Sequence, residues 1–164
     1  VIITRFEKGK YEIYEPIENE HKDQILKLSK IPADIEKKNF IEATNAAKKI
    51  AEELNYIGTL CVEFFIDNNN ELYVNEVAPR VHNSGHLTIN SHNISQFENH
   101  IRAVCNLEKK ETKRLYNAEM INLIGDDISI YKDKKLGNNE FFFDYKKKHI
   151  KPKRKMGHFT KIYK

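Results

Sequence analysis

The chain has 164 residues, 40% of them hydrophobic and 10% aromatic, which excludes a disordered tail and allows one core with a small appendage. A charged fraction of 32% with a formal net charge of +4 excludes neither an anionic small molecule nor a nucleic acid as partner. No apolar run approaches the roughly 20 residues of a membrane helix, and two cysteines, Cys61 and Cys105, form no disulfide framework or metal spacing, so a cytoplasmic setting is expected.

In chain order, residues 1–6 read as a strand already under way, with no turn before it and no initiator methionine, which suggests a fragment of a longer chain. Lys8-Gly9-Lys10 separates it from residues 11–14, giving a short hairpin closed by Pro16. The six glycines are too scattered for a phosphate-cradling loop, so the phosphates of a bound nucleotide would need another segment to grip them. From Pro32 to Asn55 a helix is expected, with Ile35, Ile41, Ala46, Ala47, Ile50, Ala51 and Leu54 facing inward. Gly58 ends that pattern, and residues 59–66 and 71–77 form an antiparallel hairpin across Asp67-Asn68-Asn69-Asn70. After a polar loop over residues 78–93, Ser95 caps a helix with Glu98 at the capping-box position and Phe97, Ile101, Val104 and Cys105 inward. A charged linker over residues 108–113 leads to a strand at 118–124 with a turn at Gly125, then to strands at 140–145 and 158–163.

The hairpin carries the sharpest chemical signal. With Ile66 opposite Glu71, Glu63 faces Val74 and Cys61 faces Glu76, so the two glutamates are diagonal neighbours on one face, roughly 7 to 8 Å apart. Their companions there, Cys61, Phe65, Leu72 and Val74, are largely apolar, and a divalent cation would offset two carboxylates in such company. A solvated face, or pairing with lysines, is the competing reading. Asn75 points to the other face unless a bulge turns its amide toward the same ion. Oxygen ligands suit Mg²⁺ shared with nucleotide phosphates better than zinc, and His82 and His86 lack the partners for a zinc site. The loop that follows, from Asn75 to Thr88, offers a cation, two imidazoles, an amide and a hydroxyl beside the two carboxylates, enough to hold a phosphorylated or carboxylated substrate.

Val62-Glu63-Phe64-Phe65 and the run Asn75-Glu76-Val77-Ala78-Pro79-Arg80-Val81-His82-Asn83-Ser84-Gly85-His86 resemble the ATP-grasp core of the 5-(carboxyamino)imidazole ribonucleotide synthases. Glu18-Asn19-Glu20-His21, Ser95-Gln96-Phe97-Glu98-Asn99-His100, Met120-Ile121-Asn122-Leu123-Ile124-Gly125 and Arg154-Lys155-Met156-Gly157-His158 extend the likeness, in order, over nearly the whole chain. The resemblance implies a ligase that uses ATP and bicarbonate to carboxylate 5-aminoimidazole ribonucleotide, in a homodimer, with the nucleotide-gripping front lying outside this chain and the fragment inactive alone. It implies that Glu63 and Glu76 hold Mg²⁺, that Asn75 and Glu76 meet ATP, and that Arg80 and His82 act in catalysis. Arg80, His82, Asn83 and Ser84, with Lys147 and Arg154 of the tail, are implied to bind substrate. The tail departs from similar enzymes, with Lys146 in a glycine place and Lys151 before Pro152, and lysine does not reproduce arginine's two-pronged phosphate contact.

Two rivals stand beside this reading. One is another ATP-grasp ligase with a different acceptor, since fold does not fix substrate. The other is nucleic-acid binding by the seven basic residues within positions 146–155, a stretch without interleaved aromatics for base stacking; a solvated loop, with Lys147 and Arg154 turned inward, accounts for it better. The expected fold is α+β: the carboxy-terminal half of an ATP-grasp domain over residues 1–107, an antiparallel sheet with helices on one side, then a small β-rich subdomain over residues 108–164.

Overall fold

The computed structural model describes residues 1–164. In chain order the elements are β1 (Ile2–Arg5), β2 (Tyr11–Ile13), β3 (Glu18–Lys22), β4 (Ile25–Ile31), α1 (Lys37–Glu53), β5 (Gly58–Ile66), β6 (Leu72–Ala78), α2 (Thr88–Ser91), α3 (Gln96–Val104), β7 (Asn117–Ile124), α4 (Asp127–Lys132), β8 (Glu140–Asp144) and β9 (Lys155–Tyr163). They build two antiparallel sheets, ordered β2-β1-β5-β6 and β3-β4-β7-β9-β8. The fold is thus α+β, as the sequence predicts.

Strand pleating sends neighbouring side chains to opposite faces, and β1 with the first part of β5 buries both. Ile3, Leu60 and Val62 pack against Ala47 and Ala51 of α1. On the reverse face Ile2 and Cys61 meet Tyr14 and Ala78, and Thr59 is tied to α3, its hydroxyl donating to the Gln96 carbonyl and its N–H to His100 Nδ1. Helices therefore cover both faces, where the sequence reading placed them on one.

The helix faces also differ from expectation. In α1 the buried residues are Asn39, Ala43, Ala47 and Ala51, a four-residue repeat of small side chains that lets the helix approach the sheet closely. Ile41 lies across the helix from that stripe and is 46% exposed; Leu54, beyond the last turn, is 57% exposed. In α3, Ser95 accepts from the Glu98 N–H as the capping pattern predicts. Polar partners nonetheless choose its buried side. Gln96, Asn99 and Ala103 face inward, with Asn99 donating to the Tyr14 hydroxyl and to Thr112, whereas Ile101, Val104 and Cys105 are exposed.

The second sheet contains a hairpin, β3–β4, that hydrophobic patterning does not reveal. Its first strand, Glu-Asn-Glu-His-Lys, is polar throughout, and its turn is made by Asp23 and Gln24 at positive φ (52° and 64°) without a glycine. β4 then pairs with β7, Leu28 opposite Ile121 through Ile31 opposite Ala118. The second sheet thus spans the division drawn at residues 107/108.

Candidate active site

The β5–β6 turn and one bulge set the site. Asp67 pairs with Glu71 through its backbone, and its carboxylate accepts from the N–H groups of Asn69 and Glu71, both at 2.9 Å. Asn70 supplies the left-handed residue of a three-residue loop, φ 64°. The register therefore starts one residue away from the predicted pairing of Ile66 with Glu71. A bulge between Glu63 and Phe64 then shifts it again, leaving Asn75 as the extra residue. Glu63 consequently stands opposite Glu76 and Cys61 opposite Ala78, so the carboxylates are direct rather than diagonal neighbours. Like charges directly opposite destabilise a strand pair unless something answers them. Asn75 Nδ2 lies 3.5 Å from Glu63 Oε2 and answers in part.

His82 supplies the next contact. Its Nε2 sits 3.2 Å from Glu63 Oε1, and ligating atoms of Glu63, Glu76 and His82 lie within 4.8 Å of one another. Burial, helped by the Arg80 guanidinium, holds the imidazole down at about 4, so it is neutral near pH 7 and the Glu63 contact is a hydrogen bond. Nδ1 receives the Ser84 backbone N–H at 3.4 Å and meets the Ser84 hydroxyl at 2.9 Å. That leaves the proton on Nε2, which donates to Glu63. A protonated Nε2 has no lone pair for a metal, so His82 orients the Glu63 carboxylate, and in this group only the two glutamates keep free oxygen atoms that a cation could meet.

The backbone of His82 is itself clamped. Gln96 Oε1 accepts its N–H at 2.9 Å and Gln96 Nε2 donates to its carbonyl at 2.6 Å, an amide pairing buried under the loop. His86 Nδ1 meets the same carbonyl at 2.9 Å. Gly85 makes this approach possible, since a Cβ there would fall 2.6 Å from the Gln96 side chain and 2.2 Å from Ile2. Gln96 is the residue that sequence reasoning undervalued; nothing local marks it, since the same helix also carries Glu98, Asn99, His100 and Arg102.

A cleft of about 870 Å³ opens between the sheets, and Glu63, Asn75, Glu76, His82, Asn83 and Ser84 line it. Glu18, Asn19 and His21 of β3 form the opposite wall, a contribution that follows from the hairpin the sequence concealed. Arg80, Lys147 and Arg154 stand outside that lining. Arg80 is exposed, with Nη1 donating to the Val81 carbonyl at 3.0 Å. In the tail, Arg154 is exposed, while half-buried Lys147 donates to the Lys155 carbonyl. Lys155 is the tail residue that reaches the loop, donating to Asn83 Oδ1. Beside it the Tyr145 hydroxyl meets His158 Nδ1 at 2.7 Å, and burial holds the His86 and His158 imidazoles at about 4 and about 3.

The chain is similar to known proteins along most of its length. Residues 1–97 match the ATP-grasp domain, and residues 118–164 match the phosphoribosylaminoimidazole carboxylase C-terminal domain. The N5-carboxyaminoimidazole ribonucleotide synthase of Bacillus subtilis is 44% identical over 161 residues, covering 98% of this chain and 42% of the relative. That of Brucella melitensis is 44% identical over 162 residues, covering 99% and 45%. The crystal structure of the Staphylococcus aureus synthetase complexed with ADP superposes with a TM-score of 0.92 at 40% identity, covering 99% of this chain and 44% of that one. The Aspergillus clavatus synthase in complex with ADP and 5-aminoimidazole ribonucleotide gives 0.91 at 29% identity, covering 99% and 45%. The chain spans less than half the length of these relatives. Over its own length it belongs to the ATP-grasp family, with the N5-carboxyaminoimidazole ribonucleotide synthases as its kin.

Proposed function

We propose that this chain forms the metal-holding wall and substrate loop of an ATP- and bicarbonate-dependent ligase that carboxylates 5-aminoimidazole ribonucleotide. The observation that carries this is the direct opposition of Glu63 and Glu76 beside neutral His82 at the mouth of a cleft. Two converging carboxylates with an amide at the bulge fit a hard divalent cation, so Glu63 and Glu76 would hold Mg²⁺ with Asn75 and Glu76 toward the nucleotide. Bound there, Mg²⁺ would offset charge on the phosphates of ATP. In the reaction, bicarbonate oxygen takes the γ-phosphoryl group of ATP, releasing ADP and forming carboxyphosphate; the amine of the ribonucleotide then takes the carboxyl carbon and phosphate leaves.

The chain's own residues prepare that chemistry. His82 holds Glu63 by its Nε2 proton and, being neutral, leaves the carboxylate's full charge for the cation. Asn83 and Ser84 present donors on the cleft side of the loop. Arg80, Lys147 and Arg154, which lie outside the cleft lining, would have to turn toward it to meet the ribonucleotide phosphate or the carboxyphosphate. No helix is long and apolar enough to cross a membrane; a cytoplasmic homodimer is part of the proposal. The test is a chimera in which these residues replace the aligned segment of the Bacillus subtilis synthase. Bicarbonate-dependent ATP hydrolysis stimulated by 5-aminoimidazole ribonucleotide, and lost in Glu76→Gln, is the expected result; hydrolysis indifferent to the ribonucleotide would sink the assignment.

A further inference from the structure

α1 carries one buried polar residue in a stripe of alanines. Asn39 precedes Ala43, Ala47 and Ala51 at four-residue spacing and is fully buried. A carboxamide in that position is costly unless it is hydrogen-bonded. Its Oδ1 has no partner, and its Nδ2 donates to Asn70 Oδ1 at 2.8 Å. Alanine there would continue the stripe, favour the helix and leave no unsatisfied oxygen, so what Asn39 contributes lies in its contact with Asn70.

Asn70 shapes the β5–β6 turn with its positive φ of 64°. The loop alone does not single it out, because Asn68, Asn69 and Asn70 are all of the type that accepts the left-handed region. Lys38 meets Glu71 at 3.2 Å, but that pair is exposed and holds little. Asn39 thus supplies the buried tether between α1 and the turn. The choice of turn matters further along the hairpin. With Asp67 drawn into a four-residue loop and the bulge unchanged, Val62 instead of Glu63 would stand opposite Glu76. Val62 faces α1, so Glu76 would leave the cleft face and the two carboxylates would part.

We propose that Asn39 is a positioning residue: by holding Asn70 it selects the three-residue turn, and that turn sets Glu63 opposite Glu76. This rests on the ligase reading above, in which those carboxylates meet a divalent cation, and deepens it by naming what keeps them together from the helix on the opposite face of the sheet.

The test uses the Bacillus chimera with Asn39→Ala, Asn70→Gly and Asn70→Asp, each combined with a cross-strand cysteine pair. Phe65→Cys with Tyr73→Cys, directly opposite in the present register, reports that register by closing to a disulfide; Phe65→Cys with Leu72→Cys reports the slipped one. The parent is expected to close the first pair much faster than the second. Asn39→Ala and Asn70→Gly should speed closure of the second pair roughly fivefold, whereas Asn70→Asp, which keeps the acceptor, should match the parent. A turn that fixes its own register would make glycine the equal of asparagine, since glycine takes positive φ freely, and would leave Asn39→Ala without effect; either result overturns the proposal. Mn²⁺ affinity, read by electron paramagnetic resonance without the cysteine pairs, should fall about tenfold in Asn39→Ala and Asn70→Gly and stay within about twofold in Asn70→Asp. Joining Asn39→Ala to Asn70→Gly should add nothing further. If the parent chimera binds no Mn²⁺, the metal reading fails separately, and cross-linking still decides the register.

Discussion

On the β5–β6 side of the loop that carries His82, two carboxylates face each other across a bulge, and Glu76 is open to solvent. On the β8–β9 side, a lysine and two imidazoles sit under cover and are driven toward their neutral forms. On the proposed reading the first side would meet a cation, whereas the second gives up charge to burial. The difference shows how one loop can border two unlike environments: open carboxylates on one side, and packed polar groups that desolvation drives toward neutrality on the other.

The sharpest way to break this contrast is on the charged side. Glu76→Gln in the chimera is expected to lower Mg²⁺-dependent kcat by about a hundredfold or more, close to 3 kcal/mol at 1.36 kcal/mol per decade. His82→Ala, which removes only the group that orients Glu63, should cost roughly ten- to a hundredfold, with the loss concentrated in the apparent affinity for Mg²⁺.

Acid attacks the other side. His86 and His158 are held by burial at about 4 and about 3, against 6.5 when unfolded. The folded-state values are lowered bases, so below about pH 6.5 the unfolded chain takes up protons that the folded chain refuses. Stability is therefore full above that pH and falls toward pH 4, by roughly a few kcal/mol. Urea midpoints at pH 7 and pH 4.5 would show it, and equal midpoints would contradict the buried, neutral imidazoles.

Three packing substitutions are smaller in scale. Gly157→Ala would place a Cβ 2.3 Å from the Phe143 carbonyl oxygen across β8–β9, and a loss of about 2 kcal/mol in thermal or urea unfolding is expected. On α1, Ala47→Leu should cost about 1 to 3 kcal/mol against the sheet, whereas Ile41→Ala should stay within roughly 0.5 kcal/mol. The reverse ranking would restore the helix face that hydrophobicity predicts.

These helix faces mark where the sequence stops being legible. The β5–β6 hairpin is readable because β-branched and aromatic runs flank four polar turn residues, and Glu63 and Glu76 are readable as a pair. Their pairing is not, because a bulge at Asn75 carries no hydrophobic signature of its own. The inward faces of α1 and α3 are chosen by small size and by hydrogen-bond partners distant in sequence, as in Asn99 to Tyr14, which periodicity of Ile and Leu cannot register. β3–β4 escapes because its turn is made by Asp23 and Gln24 rather than by glycine. Within the tail, nothing local distinguishes Lys155 from its basic neighbours; its contact with Asn83 spans the two sheets.

The junction of β4 with β7 bears on how such a protein can be taken apart. One family match ends at residue 97 and the other begins at residue 118, which invites a cut between them. Yet the five-stranded sheet draws β3 and β4 from the first stretch and β7, β8 and β9 from the second. A piece ending at residue 107 would carry β4 with an open edge where β7 belongs, a template for pairing with other chains. The two stretches behave less like beads on a string than like interlaced fingers, and neither is a unit that heredity or the laboratory can exchange by itself.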